Sequence, residues 1–201
     1  MFKLFYFCSF NRKKMTTVTE KIKMVCAGKN ISAEDLAAGA GLTLDQVNRI
    51  LEDERIPSLA SIIKIARALG VRPGTFLDDS EELGPVVTRH THSSPTVTFT
   101  SHLTDNHSHM DFASLAAKKA GRSMEPFLID IKPVAGNESY SSHEGEEFLF
   151  VLEGDIVVHY GKERYELHKG DSIYYDSIVD HRVTAGDNAT AKILGIVYAP
   201  A

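Results

Sequence analysis

Apolar residues recur at helical spacing through the first third of the chain. Through its last half they fall in short runs. Val18, Ile22 and Val25 share one helix face, and Gly28-Lys29-Asn30 is expected to end that helix. Ser32 is a natural N-cap with Asp35 three residues on, an approximate capping box. Leu36 and Ala37 carry this second helix inward and Gly41 closes it. Thr43 caps a third helix, with Val47, Ile50 and Leu51 inward. Pro57-Ser58 opens a fourth, whose stripe is Leu59, Ile62, Ile63, Ala66 and Leu69, with Gly70 as its stop. Pro73 to Leu77 makes a final short turn.

The period then changes. Strands are expected at Val97–Thr100, Phe127–Ile131, Glu147–Leu152, Asp155–Tyr160, Arg164–Leu167, Ser172–Tyr175 and Lys192–Tyr198. Phe112 to Lys119 reads as a helical interruption. Short strands between Gly, Asp and Asn turns predict an antiparallel sandwich or barrel. The expected fold class is therefore α+β, an all-α N-terminal domain followed by a β-barrel. The expected boundaries are a disordered extension over 1–17, the helical domain over 18–78, a linker over 79–95 and the barrel over 96–201.

Composition narrows the class. With 201 residues the chain fits one large or two small domains. No apolar run approaches the ~20 residues of a membrane helix, so no membrane partner is expected. Two cysteines, Cys8 and Cys26, give neither a disulfide framework nor a Cys metal motif, and a reducing cytoplasm is the expected location. Residues 1–80 carry 12 Lys and Arg against 9 Asp and Glu, whereas residues 81–201 carry 10 against 18. The front half can approach phosphates and the back half repels them. Arg12, Lys13 and Lys14 supply the whole positive excess.

The stretch Ile31 to Ser58, continued through Leu59 to Val71, resembles the Xre-type, lambda-repressor-like helix-turn-helix family. In that family the third helix lies in the major groove of double-stranded operator DNA. The resemblance assigns Thr43, Leu44, Asp45, Gln46, Asn48 and Arg49 as exposed reading positions. Gln, Asn and Arg make bidentate base contacts, while Ser32 and Thr43 sit at helix N-termini suited to phosphate. Leu44 and Asp45 are poor choices beside a phosphate backbone. Glu34, Asp35, Glu52, Asp53 and Glu54 crowd the same region.

A second constellation is Ser141-Ser-His-Glu-Gly-Glu-Glu147 running into Phe148–Gly154, followed by Gly170 to His181. These segments resemble the two cupin motifs, which implies a double-stranded β-helix, or jelly roll, over about 96–200. His143 and Glu147 lie four apart, with Gly145 expected to bend the path between them, and His181 arrives from a later strand. Two imidazoles and a carboxylate form a facial triad suited to iron, manganese, nickel or zinc, with three positions open. The family usually has a third His where Ser141 stands. Asp176 and Asp180 stand where the family commonly has Pro, and their charge is expected to raise the pKa of His181. Ser141, Tyr140, Phe127 and Tyr175 are the candidate pocket residues. His90-x-His92 and His107-x-His109 read as solvated, and His102, His159 and His168 as surface.

The two resemblances together imply a transcription regulator, a homodimer whose barrel senses a metal or small-molecule effector. Acidic Glu138, Glu144, Glu146, Asp176 and Asp180 point to a cationic effector. The alternative is an enzyme. A two-His-one-Glu cupin behind a helical domain also resembles the mononuclear non-haem iron phosphonate oxygenases and epoxidases of the hydroxypropylphosphonate epoxidase type. His143, Glu147 and His181 would then hold iron, with Lys29, Lys118, Lys119 and Arg182 as candidate anchors for an anionic substrate. A metal-free cupin scaffold is the third reading.

Overall fold

The computed structural model describes residues 17–52, 57–78, 83–89, 96–98, 110–133, 140–186 and 189–200. Five helices come first: α1 Val18–Lys29, α2 Ala33–Ala40, α3 Leu44–Glu52, α4 Leu59–Ala68 and the short α5 Gly74–Leu77. Their ends are set by local chemistry. Thr17 and Ser32 each close a reciprocal capping box, with Glu20 and Asp35. Asn30 and Gly41 end α1 and α2 in the left-handed conformation. Ser58 caps α4 by accepting from the Ser61 N–H. Ile22, Leu36, Val47, Ile50, Ile62, Ile65 and Phe76 are at most 1% exposed, so one apolar core ties the five helices together.

Nine strands follow among the described residues: β1 Thr96–Thr98, β2 Met110–Ser114, β3 Met124–Ile131, β4 Glu146–Glu153, β5 Ile156–Tyr160, β6 Glu163–Leu167, β7 Ser172–Asp176, β8 His181–Ala185 and β9 Ala191–Tyr198. All pair antiparallel. One sheet runs β1-β2-β3-β9-β4-β7 and the other β6-β5-β8. Ile129, Ile131, Leu149, Val151, Ile156, Val158 and Ile193 fill the space between them. This is the expected α+β arrangement of a helical domain before a β-barrel.

Two strand readings change. Phe112 to Lys119 is not helical. Residues 110–114 form β2, and Phe112 lies opposite Ile129 on β3 with its ring edge-on to Phe127 at 5.6 Å. The run is rich in helix formers, but pairing with β3 and burial of Phe112 outweigh that preference. β8 supplies the later strand expected to carry His181, with bounds His181–Ala185 that the apolar pattern did not mark. The expected linker and the residues His90, His92, His102, His107, His109 and Glu138 lie wholly or largely outside the described residues.

A buried ionic cluster joins the helices to the barrel. Arg122, just before β3, donates through Nε to Glu125 Oε2 at 2.7 Å and through Nη2 to Asp78 Oδ1 at 2.7 Å. The three side chains are 6%, 4% and 8% exposed. Asp78 ends α5, and its carbonyl also accepts from Lys21 Nζ at 2.7 Å. Arg72 donates to the carbonyl of Arg122. There is no room beside this cluster: a Cβ at Gly74 would sit 2.7 Å from Asp78 Oδ2 and 3.0 Å from Glu125 Oε1.

Candidate functional site

His143 precedes β4, Glu147 is the second residue of β4 and His181 opens β8. Gly145 makes the approach possible. Its φ is +114°, and a Cβ there would lie 2.0 Å from the carbonyl oxygen of Tyr198. Only glycine fits that conformation and that space. Glu147 lies opposite Tyr175 on β7, and His181 opposite Tyr160 on β5.

The three groups converge. His143 Nε2 is 2.8 Å and His181 Nε2 3.4 Å from Glu147 Oε1. One ligand atom from each residue lies within 4.8 Å of the others. The two histidines are 5% and 4% exposed. Their outer nitrogens are fixed: His143 Nδ1 faces the Glu144 carbonyl at 3.1 Å and His181 Nδ1 the Val179 carbonyl at 2.9 Å. A carbonyl only accepts, so both Nδ1 atoms carry the proton. In the neutral rings both Nε2 lone pairs then point at a carboxylate oxygen. That arrangement needs positive charge between the three groups, either protons or a divalent cation. Backbone carbonyls orienting the rings through Nδ1 are the second layer that metal-ligating histidines use. The donor set therefore fits a divalent metal.

Electrostatics follow the same geometry. Burial by itself would push the Glu147 carboxyl up, but hydrogen bonds from His143 and His181, and their charges, hold it well below the usual range. For His181, burial favours the neutral ring, and the Glu147 contact outweighs it, so its pKa is raised. Asp180 adds only a smaller share. Tyr175 donates to Glu147 Oε2 at 2.7 Å and Ser177 Oγ donates to Oε1 at 3.2 Å. Burial and the adjacent Glu147 charge raise the Tyr175 phenol. Ser177, fully buried, was not singled out in the sequence. Its signal was its place two residues after Tyr175, in the turn just past β7.

The pocket candidates separate. Ser141 Oγ is 3.3 Å from His181 Nε2, and Tyr175 touches Glu147, so both border the triad. Phe127 is buried against Phe112. Tyr140 is 45% exposed and lies over Arg182, 5.1 Å from its guanidinium carbon, beside His159. His159 is half-buried rather than a free surface residue. An open pocket of about 500 Å³ lies between β6 and β7, reaching Tyr175 and Tyr160.

In the helical domain α2 and α3 are joined by a tight turn. Leu44, Asp45, Asn48 and Arg49 are exposed on α3, while Val47 and Ile50 are buried. Gln46 is half-buried and folded back: its Oε1 accepts from the Thr43 N–H at 2.8 Å, and the Gln46 N–H donates to Thr43 Oγ1 at 3.2 Å. Its expected exposure is thus corrected, because capping the helix competes with reading. Arg49 Nη2 meets Asp45 Oδ2 at 2.8 Å one turn away. Ser32 is engaged with Asp35.

Comparisons with known proteins agree with both halves. Residues 21–82 match the model of the Cro/C1-type HTH DNA-binding domain and residues 127–197 that of the cupin domain. A curated relative, the (S)-2-hydroxypropylphosphonic acid epoxidase of Streptomyces wedmorensis, is 31% identical over 101 residues, 47% of this chain. The match spans about half (51%) of that relative's length. An HTH_3 family transcriptional regulator from Vibrio cholerae superposes with a TM-score of 0.67 at 23% identity, over 92% of this chain and 97% of its own. A crystal structure of Fe(II)-HppE superposes at 0.50 and 24% identity, over 91% and 97%. Among the described residues no helix is long and apolar enough to cross a membrane. The chain thus joins a Cro/C1-type helix-turn-helix domain, residues 21–82, to a cupin domain, residues 127–197.

Proposed function

We propose that the protein is a cytoplasmic, sequence-specific transcription regulator whose cupin domain binds a divalent metal or a small-molecule effector. The observation that carries the reading is one chain holding both an α2–turn–α3 reader and a buried His143–Glu147–His181 cluster. Two copies would act on one operator, since two-fold sites are read by paired recognition helices. The expected cationic effector loses two of its carboxylates, since Glu144 is paired with Arg67 and Glu146 accepts from the Tyr174 hydroxyl.

The reading is tested by selecting bound sequences from a random duplex pool and measuring the winner's affinity at fixed salt. Asn48→Ala is expected to cost about 1–3 kcal/mol on the selected site. Asp45→Asn is expected to strengthen binding, because it frees Arg49 and removes a like charge from the phosphates. No enrichment in the pool would sink the proposal.

A contact between the halves supplies a route for coupling. Arg67 on α4 meets Glu144 Oε1 at 2.5 Å, and Glu144 is the residue whose carbonyl orients His143. Both side chains are half-exposed, so the pair is worth at most about 1 kcal/mol. Arg67→Ala should therefore change the ratio of operator affinities with and without metal by up to about fivefold, with the metal affinity of the DNA-free protein unchanged and that of the operator-bound protein shifted by the same factor. An unchanged ratio would remove this contact from the route.

The second reading is an iron-dependent oxygenase, favoured by the 31% identity to the epoxidase. His143, Glu147 and His181 would hold iron, which supplies oxygen activation when bound. Tyr175 and Ser177 would orient the carboxylate ligand, and the pocket toward Tyr160 would admit substrate. Consumption of (S)-2-hydroxypropylphosphonate by iron-loaded protein with a reductant or peroxide would favour this reading. Its absence together with operator binding would favour the first.

A further inference from the structure

β6 and β7 follow one another in the chain, yet among the described strands each is the outermost of its own sheet. The two sheets part between them, and the open pocket of about 500 Å³ occupies that gap. Tyr160, Tyr165, Tyr174 and Tyr175 line it. The whole chain has seven tyrosines and no tryptophan, so more than half of its phenol rings stand around one recess. His143, Glu147 and His181 do not line it, which makes it a site separate from the triad. Tyr175 is the wall that the two share.

The hydrogen bonds of the rings decide what the recess can hold. Tyr175 donates to Glu147 Oε2 at 2.7 Å and Tyr160 to the Asp176 carbonyl at 3.1 Å. Tyr174 donates to a carboxylate oxygen of Glu146. These three phenol protons are committed to acceptors of the protein, so an anionic guest finds no donor in them. Negative charge also stands behind the rings, at Glu146 and Glu147. The cation on the lining, Arg164, is met by Glu166 on the same strand. What the recess offers is ring surface. A phenol that donates to a carboxylate is polarised by it, and the negative face of an aromatic ring attracts cations.

We infer that the recess between β6 and β7 binds a small organic cation, a quaternary or protonated amine, held by the four tyrosines. Its volume is that of a small-molecule site and leaves room for an organic body beyond the ammonium head. The cationic class expected from the acidic composition is thereby kept, but its recognition passes from the carboxylates to the rings bonded to them. The guest's role as an effector rests on the regulator reading. Its binding does not, because it is measured without DNA, and the two can fail separately.

Titration of the full chain with choline tests this. Without tryptophan, the ultraviolet emission comes from tyrosine, and most of the tyrosines are in this pocket. Choline should change that emission saturably. Its uncharged isostere 3,3-dimethylbutan-1-ol and the anionic 3,3-dimethylbutanoate should each bind at least about 10-fold more weakly. Tyr165 and Tyr174 are 44% and 63% exposed, so replacing them spares the fold. Tyr165→Leu and Tyr174→Leu should each weaken choline by about 3–10-fold, whereas Tyr165→Phe, which keeps the ring, should not. Tyr198→Leu, at the end of β9 and outside the pocket, should not either. No saturable change in emission, an alcohol that binds as tightly as choline, or leucine variants that bind like the wild type would overturn the proposal.

Discussion

Replacing Glu147 by Gln is expected to lower the affinity for divalent metal by more than about 100-fold, the upper end of what loss of a mere second-layer partner costs. The carboxylate is the one anionic donor in the cluster, and its Oε1 faces both imidazoles at 2.8 and 3.4 Å. An amide retains the shape, loses the charge, and turns a donor toward lone pairs or cation. Tyr175→Phe keeps every ligand but removes the 2.7 Å bond to Oε2, so about 10–100-fold is expected there. Elemental analysis of protein purified without added metal, followed by competition against a chelator, reads both effects. Acid should mimic the loss. A protonated His cannot ligate. The metal-free site holds the His181 proton more tightly than the ordinary value of about 6.5. The apparent metal affinity is therefore expected to fall steadily as the solution is acidified, the protons displacing the ion from the imidazoles. A wild-type chain that binds no divalent ion at neutral pH would sink the metal reading and leave an organic ligand as the occupant.

The helical half was legible because its information is local. Ser32 with Asp35, Ser58, Gly41 and Gly70 mark helix ends through contacts a few residues long, and 3.6-residue periodicity located the core. The triad was legible because the two short segments that carry it resemble the cupin motifs. What escaped depends on pairing across the fold. Phe112 to Lys119 looked helical since Ala113, Leu115, Ala116 and Lys118 favour helix locally, and only the pairing of Met110–Ser114 with β3 decides otherwise. The strand carrying His181 was expected but its bounds were not, because β8 is short and polar, with little of a strand's apolar alternation. The turn of Gln46 back onto Thr43 was hidden because a helix-facing pattern does not distinguish a reader from a cap. Asp78, Arg122 and Glu125 belong to no motif in the sequence. Nothing in their types or distances along the chain reveals that α5 and β3 bring them together out of water.

That cluster yields the largest expected effect on stability. Arg122→Ala should cost about 3–5 kcal/mol, because it strands two carboxylates in a site that excludes water. For a chain of this size that lowers the melting temperature by roughly 6–20 °C. The sign of the pH dependence follows from burial. Burial pushes both the Asp78 and Glu125 carboxyls up, and the Arg122 guanidinium counters it. Without Arg122 both rise further. A carboxyl whose folded pKa is raised stabilises the fold below its unfolded value, and that contribution is lost as pH rises through the folded value. The deficit of the variant should therefore be greatest at neutral pH and shrink as pH falls toward the range of those carboxyls. Neutralising the whole cluster, Arg122→Met with Asp78→Asn and Glu125→Gln, should recover most of the loss, since the cost comes from uncompensated charge rather than from missing contacts. Because Asp78 caps α5 among the helices and Glu125 lies on β3 of the barrel, calorimetry should also see the single variant's unfolding broaden or split. An Arg122→Ala protein that melts like the wild type at neutral pH would mean the two carboxylates find water, and the cluster would then hold nothing together.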